Sequence, residues 1–218
     1  MTLAIFDLDN TLLSSDSDYE WGQFLVDKGV VDKLEYEQAN KHFLEQYQQG
    51  QLDIEEFSRF AFKPLADNPM DSLLAWRDTF LKEIISPIMT SKAKDLVRHH
   101  QQQEHSLLVI TATNSFITAP IVESFGIPHL IATEPKQLNG RYIAEIDGIP
   151  CFQDGKVERL KIWLKDHDKS LEGSFFYSDS HNDLPLLKMV DTPVAVDPDH
   201  QLEKIATKSG WKIISLRD

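Results

Sequence analysis

Residues 4–11 read Ala4-Ile5-Phe6-Asp7-Leu8-Asp9-Asn10-Thr11, an apolar run that ends in two acids two positions apart. Asp is depleted in strands, so a carboxylate pair where a buried strand should finish calls for a reason beyond the strand itself. In an open parallel sheet, ligands bind beyond the carboxyl ends of the strands, and residues 7–11 mark such an end. The remaining chain supports that sheet. Runs rich in branched and aromatic residues recur at Leu3 to Phe6, Leu107 to Ile110, Ser174 to Tyr177, Val194 to Val196 and Lys212 to Ile214. Several are almost wholly apolar, the pattern of strands buried on both faces. Helical patterns lie between them, at Ser91 to Gln103, Ser115 to Phe125, Lys156 to Asp166, Leu184 to Val190 and His200 to Lys208. The alternation predicts an open parallel α/β sheet.

One stretch breaks the rhythm. Between Ser14 and Met89 no strand pattern occurs, but helical patterns cover Tyr19 to Lys28, Lys33 to Gln49, Ile54 to Phe62 and Met70 to Ile85. An all-helical insertion after the first strand is expected to form a separate small bundle over the sheet. The expected division is therefore a core of residues 1–13 and 90–218 and a helical unit of residues 14–89. Within the core, Asn139-Gly140 and Asp147-Gly148 are turn pairs flanking an alternating segment, which predicts a small hairpin between Lys136 and Pro150.

Composition narrows the function. The net charge of -13 opposes long-range attraction to nucleic acid or anionic membrane, so a phosphate ligand must be met by local groups. The single cysteine, Cys151, excludes an internal disulfide and a Cys-rich zinc site, which fits a reducing compartment. No apolar run reaches membrane-spanning length, and Leu3 to Phe6 is too short for a signal-peptide apolar region. A cytoplasmic protein acting on a small molecule is expected, with neither nucleic acid nor membrane as partner.

The strand ends assemble the chemistry. Asp7, Asp9 and Thr11 follow the first strand, Thr111-Ala112-Thr113-Asn114 the second, and Ser178-Asp179-Ser180-His181-Asn182-Asp183 a later one. Taken singly, each Asp suits a helix cap or a turn. Four acids at one rim would raise one another's pKa unless a cation sat among them. Hard oxygen donors without thiolates select Mg²⁺. Lys156 stands where a helix begins and can neutralise a phosphate or the carboxylates. These residue types suit phosphoryl transfer, in which a carboxylate attacks phosphorus and a second acid manages the proton.

In chain order, Asp7-Leu8-Asp9-Asn10-Thr11, Thr111, Lys156 and Asp179 with Asp183 resemble the motifs of haloacid dehalogenase superfamily phosphatases. The resemblance runs from Ala4 to about Val196. It implies a Rossmann-like core with a helical cap, Asp7 as nucleophile and Asp9 as general acid and base. It implies Mg²⁺ held by Asp7, the Asp9 carbonyl and Asp179, with Asp183 supporting. Thr111, Ala112 and Lys156 would hold the phosphoryl group, assisted by Asn182.

The insertion and the Tyr177 to Leu187 segment are most similar to the branch containing phosphoserine phosphatase and histidinol-phosphatase-like hydrolases. In that branch an acid nine residues after the nucleophile binds a substrate amine, and Asp16 occupies the place. A cap arginine that binds a carboxylate matches Ala61 here, with Arg59 and Lys63 two residues to either side. Asp16, Asp18, Trp21, Arg59 and Asn114 are the expected specificity residues, for histidinol phosphate or O-phosphoserine.

Other readings remain open at this level. A receiver domain also combines acids with a Thr and a Lys, though it lacks such an insertion and an acid two positions after the phosphorylated one. A regulatory protein could keep the fold without turnover. Trp21, Phe24 and Leu25 also have the spacing of simple bundle packing, and His181 falls at a free position of its motif. His99, His100 and His105 read as a solvated helix end, without metal-ligand geometry.

Overall fold

The computed structural model describes residues 2–218. Strand β1 (Leu3–Phe6) is followed by helices α1 (Ser17–Asp27), α2 (Lys33–Gln48), α3 (Ile54–Asp67) and α4 (Met70–Phe80). The chain continues helically through Leu81–Ile85 into α5 (Ser86–Ile88) and then enters α6 (Ser91–Gln102). Next come β2 (Ser106–Asn114), α7 (Ser115–Ser124), β3 (His129–Thr133) and a hairpin of β4 (Pro135–Leu138) and β5 (Arg141–Ile146). The last third contains α8 (Asp154–Asp166), β6 (Phe175–Ser178), α9 (Leu184–Leu187), β7 (Thr192–Val196), α10 (His200–Ser209) and β8 (Lys212–Ile214).

Six of these strands form one parallel sheet in the order β3-β2-β1-β6-β7-β8. Strand β1 lies between β2 and β6, so the winding reverses at β1, the place where open α/β sheets bind ligands. Register fixes what converges there. Phe6 is level with Val109 and Tyr177, so Asp7 leaves the sheet one residue later, beside the end of β6, while β2 runs on to Asn114.

Alternation in β1 feeds two cores. Ala4 and Phe6 join an apolar cluster that includes Trp21, Phe24, Phe62, Leu73 and Phe80 from the inserted helices. Leu3 and Ile5 join the opposite cluster with Leu160, Leu186, Leu202 and Ala206. Helices therefore cover both faces of the sheet, as near-continuous apolar strands require.

The expected elements form, with four differences, the first being that β2 runs on through Thr111 to Asn114, residues expected to follow the strand. Strand β3 lies at the sheet edge and escaped recognition because His129 and Thr133 bracket only three apolar residues. Helix α3 runs five residues past Phe62, through Pro64, whose carbonyl accepts from Asn68 Nδ2 at 2.8 Å. The segment expected as helix from Leu184 to Val190 is shorter, ending at Leu187. The hairpin turns at Asn139-Gly140, both at positive φ (53° and 76°), the backbone that this residue pair accepts most readily.

The histidines are also a correction. His100 is buried, with Nε2 2.8 Å from the Tyr177 hydroxyl and Nδ1 2.8 Å from His105 Nδ1. Burial, reinforced by His105 and His99, pulls its pKa down to about 4. The apolar side of α6 faces the sheet, and His100 shares that side with Ala93 and Val97.

Candidate active site

Asp7 continues the parity of Leu3 and Ile5, the face against which Leu160 of α8 packs. Lys156, one helical turn before Leu160, consequently meets it: Lys156 Nζ donates to Asp7 Oδ1 at 2.8 Å and to Asp183 Oδ2 at 2.9 Å. Lys156 is buried with both partners. Burial alone would depress its pKa, but the charges of Asp183 and Asp7 outweigh burial and push it well up. Burial raises Asp7 to about 7; Lys156 counters this and Asp183 adds to it.

After Asp7 the chain makes one wide turn, closed by Leu13 N–H donating to the Leu8 carbonyl at 2.9 Å. Asn10 sits in the left-handed region there (φ 56°), a conformation Asn tolerates better than most residues. The turn returns Thr11 to the strand ends. Its Oγ1 lies 3.3 Å from Asp7 Oδ2 and 3.1 Å from Asp179 Oδ1, and accepts from Asp179 N–H at 3.1 Å. A hydroxyl carries one proton, so Thr11 can satisfy only one of the two carboxylates at a time. Burial, then the charges of Asp7 and Asp183, push Asp179 well above the carboxylate range.

Asp9 has a separate environment. Its Oδ1 accepts from Ser17 N–H at 2.7 Å, and its Oδ2 accepts from Thr113 Oγ1 at 2.8 Å and more distantly from Thr111 Oγ1 at 3.4 Å. Burial and the charge of Asp16 raise its pKa to about 6, against these hydrogen bonds. Two acids two residues apart thus face different partners, a lysine and acids for one, hydroxyls and a helix amide for the other.

A second acidic tier begins at α1. Asp16 caps that helix, accepting from the N–H groups of Asp18 and Tyr19 at 2.9 Å. Asp18 Oδ1 accepts from Asn114 Nδ2 at 3.3 Å, while Asn114 Oδ1 caps α7 through Ile117 N–H. Burial and then the charges of Asp16 and Asp9 lift Asp18 to about 8; burial also raises Asp16. No Lys or Arg ion pair reaches either acid among the described residues.

Two expected specificity residues lie elsewhere, and one expected phosphate residue is in place but already engaged. Trp21 is 3% exposed, stacked on Phe24 and edge-on to Phe80 and Phe116, which makes it bundle packing with Nε1 unpartnered. Arg59 is exposed and lines an outer cavity of about 560 Å³ with Glu35, His42, Glu56 and Phe60, none of them cluster acids. Lys63 lines the neighbouring cavity. The spacing of α3 turns Phe62 and Leu65 inward, leaving the faces of residues 59 and 63 outside. Asn182 is in the cluster, but its amide is engaged: Nδ2 donates to the Tyr47 carbonyl at 3.2 Å and Oδ1 accepts from Gln153 Nε2 at 2.9 Å.

Tyr47 and Gln153 had no sequence signal. Tyr47 hydroxyl donates to Ser180 Oγ at 2.9 Å, and Gln153 and Gln201 also donate to the carbonyls of Gly50 and Gln48 at 3.4 Å. Thus the C-terminal end of α2 and the turn after it are met by amides from three separate core segments.

The donor set fits Mg²⁺. Lys156 pairs with Asp7 and Asp183, Asp179 joins them through Thr11, and the donors are hard oxygens. Among the described residues no three His, Cys, Asp or Glu side chains form a ready-made cage. Mg²⁺ keeps water and takes one or two protein carboxylates, so it does not require such a cage.

Comparison with known proteins identifies the class. The model of the haloacid dehalogenase-like hydrolases matches residues 4–188. The chain belongs to that family, and it is a phosphatase. The histidinol-phosphatase of Neisseria meningitidis serogroup C (strain 8013) is 42% identical over 219 residues, covering 99% of both chains. A crystal structure of a protein of unknown function from Bordetella pertussis Tohama I superposes with a TM-score of 0.93 at 43% identity, over 100% of both chains. A substrate-bound phosphoserine phosphatase shares the fold at a TM-score of 0.72 and 18% identity, covering 99% of this chain and 93% of its own. Membership in this enzyme family sets aside the receiver reading.

Proposed function

We propose that the chain is a Mg²⁺-dependent phosphomonoesterase that works through an aspartyl-phosphate on Asp7. The observation that carries this is the division between Asp7, held by Lys156, and Asp9, held by Thr113 and Ser17. An Asp7 carboxylate oxygen attacks phosphorus, the ester P–O bond breaks, and the leaving alkoxide takes its proton from Asp9. Asp9, now ionised, removes a proton from water as that water attacks phosphorus, which frees Asp7 and releases inorganic phosphate. A pKa raised to about 6 lets Asp9 both give and receive this proton near neutrality.

Thr111, Ala112 and Lys156 hold the phosphoryl oxygens in this reading. Asp7, the Asp9 carbonyl and Asp179 would hold Mg²⁺, with Asp183 fixed behind by Lys156 and by Ser178 Oγ at 2.7 Å. Bound there, the ion would neutralise the acids and offset charge on the transferring group.

Residues 14–89 serve as the cap, and the substrate is a small amino phosphate. Asp16 and Asp18 offer two carboxylates without a basic side chain opposite them, which favours a cationic or N–H-rich group. Arg59 faces away from the acids, so the arginine expected to meet a substrate carboxylate does not reach them. This favours histidinol phosphate over O-phosphoserine and agrees with the 42% identical relative being a histidinol-phosphatase. The test is phosphate release from histidinol phosphate, O-phosphoserine, phosphoethanolamine and sugar phosphates, with Mg²⁺ and with chelator. Histidinol phosphate should lead and chelator should abolish release; equal turnover of O-phosphoserine would overturn the substrate assignment.

A further inference from the structure

Both chain crossings between the helical insertion and the sheet meet residues from the far end of the sequence. The outgoing crossing passes from Asn10 to Ser14, and the returning one from Ile88 to Ser91. They touch directly: Leu13 and Met89 form an antiparallel bridge, and Ser14 N–H donates to the Ile88 carbonyl at 2.9 Å. Beyond β8, buried Leu216 anchors the chain in the larger core, and Arg217 and Asp218 then lie against these crossings.

Arg217 takes the outgoing crossing. Its guanidinium donates through one terminal nitrogen to the Asn10 carbonyl at 2.7 Å and through the other to the Leu13 carbonyl at 3.0 Å. Asp218 takes the returning one. Its carboxylate accepts from Ser91 N–H at 2.9 Å, Ser91 Oγ at 2.7 Å and, more weakly, Lys92 N–H at 3.4 Å. A planar fork that spans two carbonyls, next to a carboxylate on the first turn of α6, ties two strands of chain to one short segment.

We propose that Arg217 and Asp218 form a clamp on the cap hinge, and that Arg217 is a positioning residue for catalysis. The carbonyl it grips belongs to Asn10, the residue at positive φ, and the same peptide group carries the amide of Thr11. Thr11 contacts both Asp7 and Asp179. Arg217 therefore fixes the peptide plane between the proton-handling Asp9 and the residue bridging the other two acids, while limiting how the crossings part. The clamp rests on reading residues 14–89 as a cap that moves on this hinge.

The test compares wild type with Arg217→Ala, Arg217→Lys and Asp218→Ala in the full chain. Hydrogen–deuterium exchange is followed in peptides covering residues 8–15 and 86–92, alongside kcat and KM on histidinol phosphate and on p-nitrophenyl phosphate. Arg217→Ala should speed exchange in both segments, leave the β6 and β7 amides at wild-type rates, and lower kcat/KM on histidinol phosphate on the order of tenfold. The loss on the small aryl phosphate, which asks less of the cap, should be smaller. Arg217→Lys keeps the charge without the fork and should recover only part of the effect. Asp218→Ala should act mainly on residues 86–92. Wild-type exchange in both segments of Arg217→Ala would overturn the clamp whatever the kinetics. A wild type inactive on every phosphomonoester would instead count against the phosphatase reading, and the exchange comparison would still decide the clamp.

Discussion

Thr113 Oγ1 donates to Asp9 Oδ2 at 2.8 Å, so the acid proposed to move the proton is held by a hydroxyl that can rotate. When Asp9 is ionised Thr113 donates; when Asp9 is protonated the same hydroxyl can accept. Asp9→Asn should slow alkyl phosphates by about 10²-fold or more and aryl phosphates much less, because only the alkoxide needs a proton on departure. Equal losses in steady-state kinetics on both ester classes would contradict leaving-group protonation. Thr113→Val removes a bond that lowers the Asp9 pKa, so the pH–rate limb assigned to Asp9 should move to higher pH.

Asp16→Ala should cost amino phosphates more than simple phosphate esters. Asp16 caps α1 as well, so the comparison must be between substrates measured on one variant, where the stability loss cancels. A uniform drop in kcat/KM would remove Asp16 from the specificity site.

Asp18 gives a stability signature. Its folded-state pKa of about 8 lies above the ordinary 3.8, so its contribution to stability is fullest below 3.8 and is lost as pH rises through about 8. Without ligand, Asp18→Asn should therefore raise the thermal midpoint, with the gain growing from about pH 4 and levelling off above about pH 8. A gain that shrinks over that range in differential scanning fluorimetry would contradict the uncompensated acid.

His100 has the opposite sign. Its pKa falls from 6.5 to about 4 on folding, so the stability it contributes is present above 6.5 and is lost as pH falls through about 4. His100→Gln should flatten the acid limb of stability against pH, read from denaturant midpoints, at some cost in packing against Phe6 and Phe175.

Mg²⁺ should raise the thermal midpoint in proportion to the logarithm of its concentration once the site saturates. Asp179→Asn should abolish most of that rise, since it removes a proposed ligand and also relieves the repulsion with Asp7. An unchanged rise in the variant would place the ion elsewhere.

Much of this arrangement was legible in the sequence because it repeats at local spacing. The strand runs, the long insertion and the Asn139-Gly140 turn each carry their own signal, and acids at strand ends stand out against strand composition. What escaped depends on tertiary approach. Tyr47 is one polar aromatic on an otherwise solvated helix until Ser180 lies beside it, and Arg217 is one of many surface cations until the chain returns to Asn10. Arg59 failed for a related reason: it stands two residues from the expected arginine position, and on a helix two residues turn a side chain to a different face. His100 escaped because a polar stretch hid the apolar side of α6.

The central claim is that Asp7 accepts the phosphoryl group, and a rapid acid quench during turnover tests it most directly. With an aryl phosphate and Asp9→Asn, which should form the adduct and hydrolyse it slowly, peptide mass spectrometry should find one phosphoryl group on Asp7. Asp7→Asn should carry none and should lose activity by about 10³-fold or more while remaining folded. A phosphoryl group on another residue, or turnover by Asp7→Asn at the wild-type rate, would contradict the account.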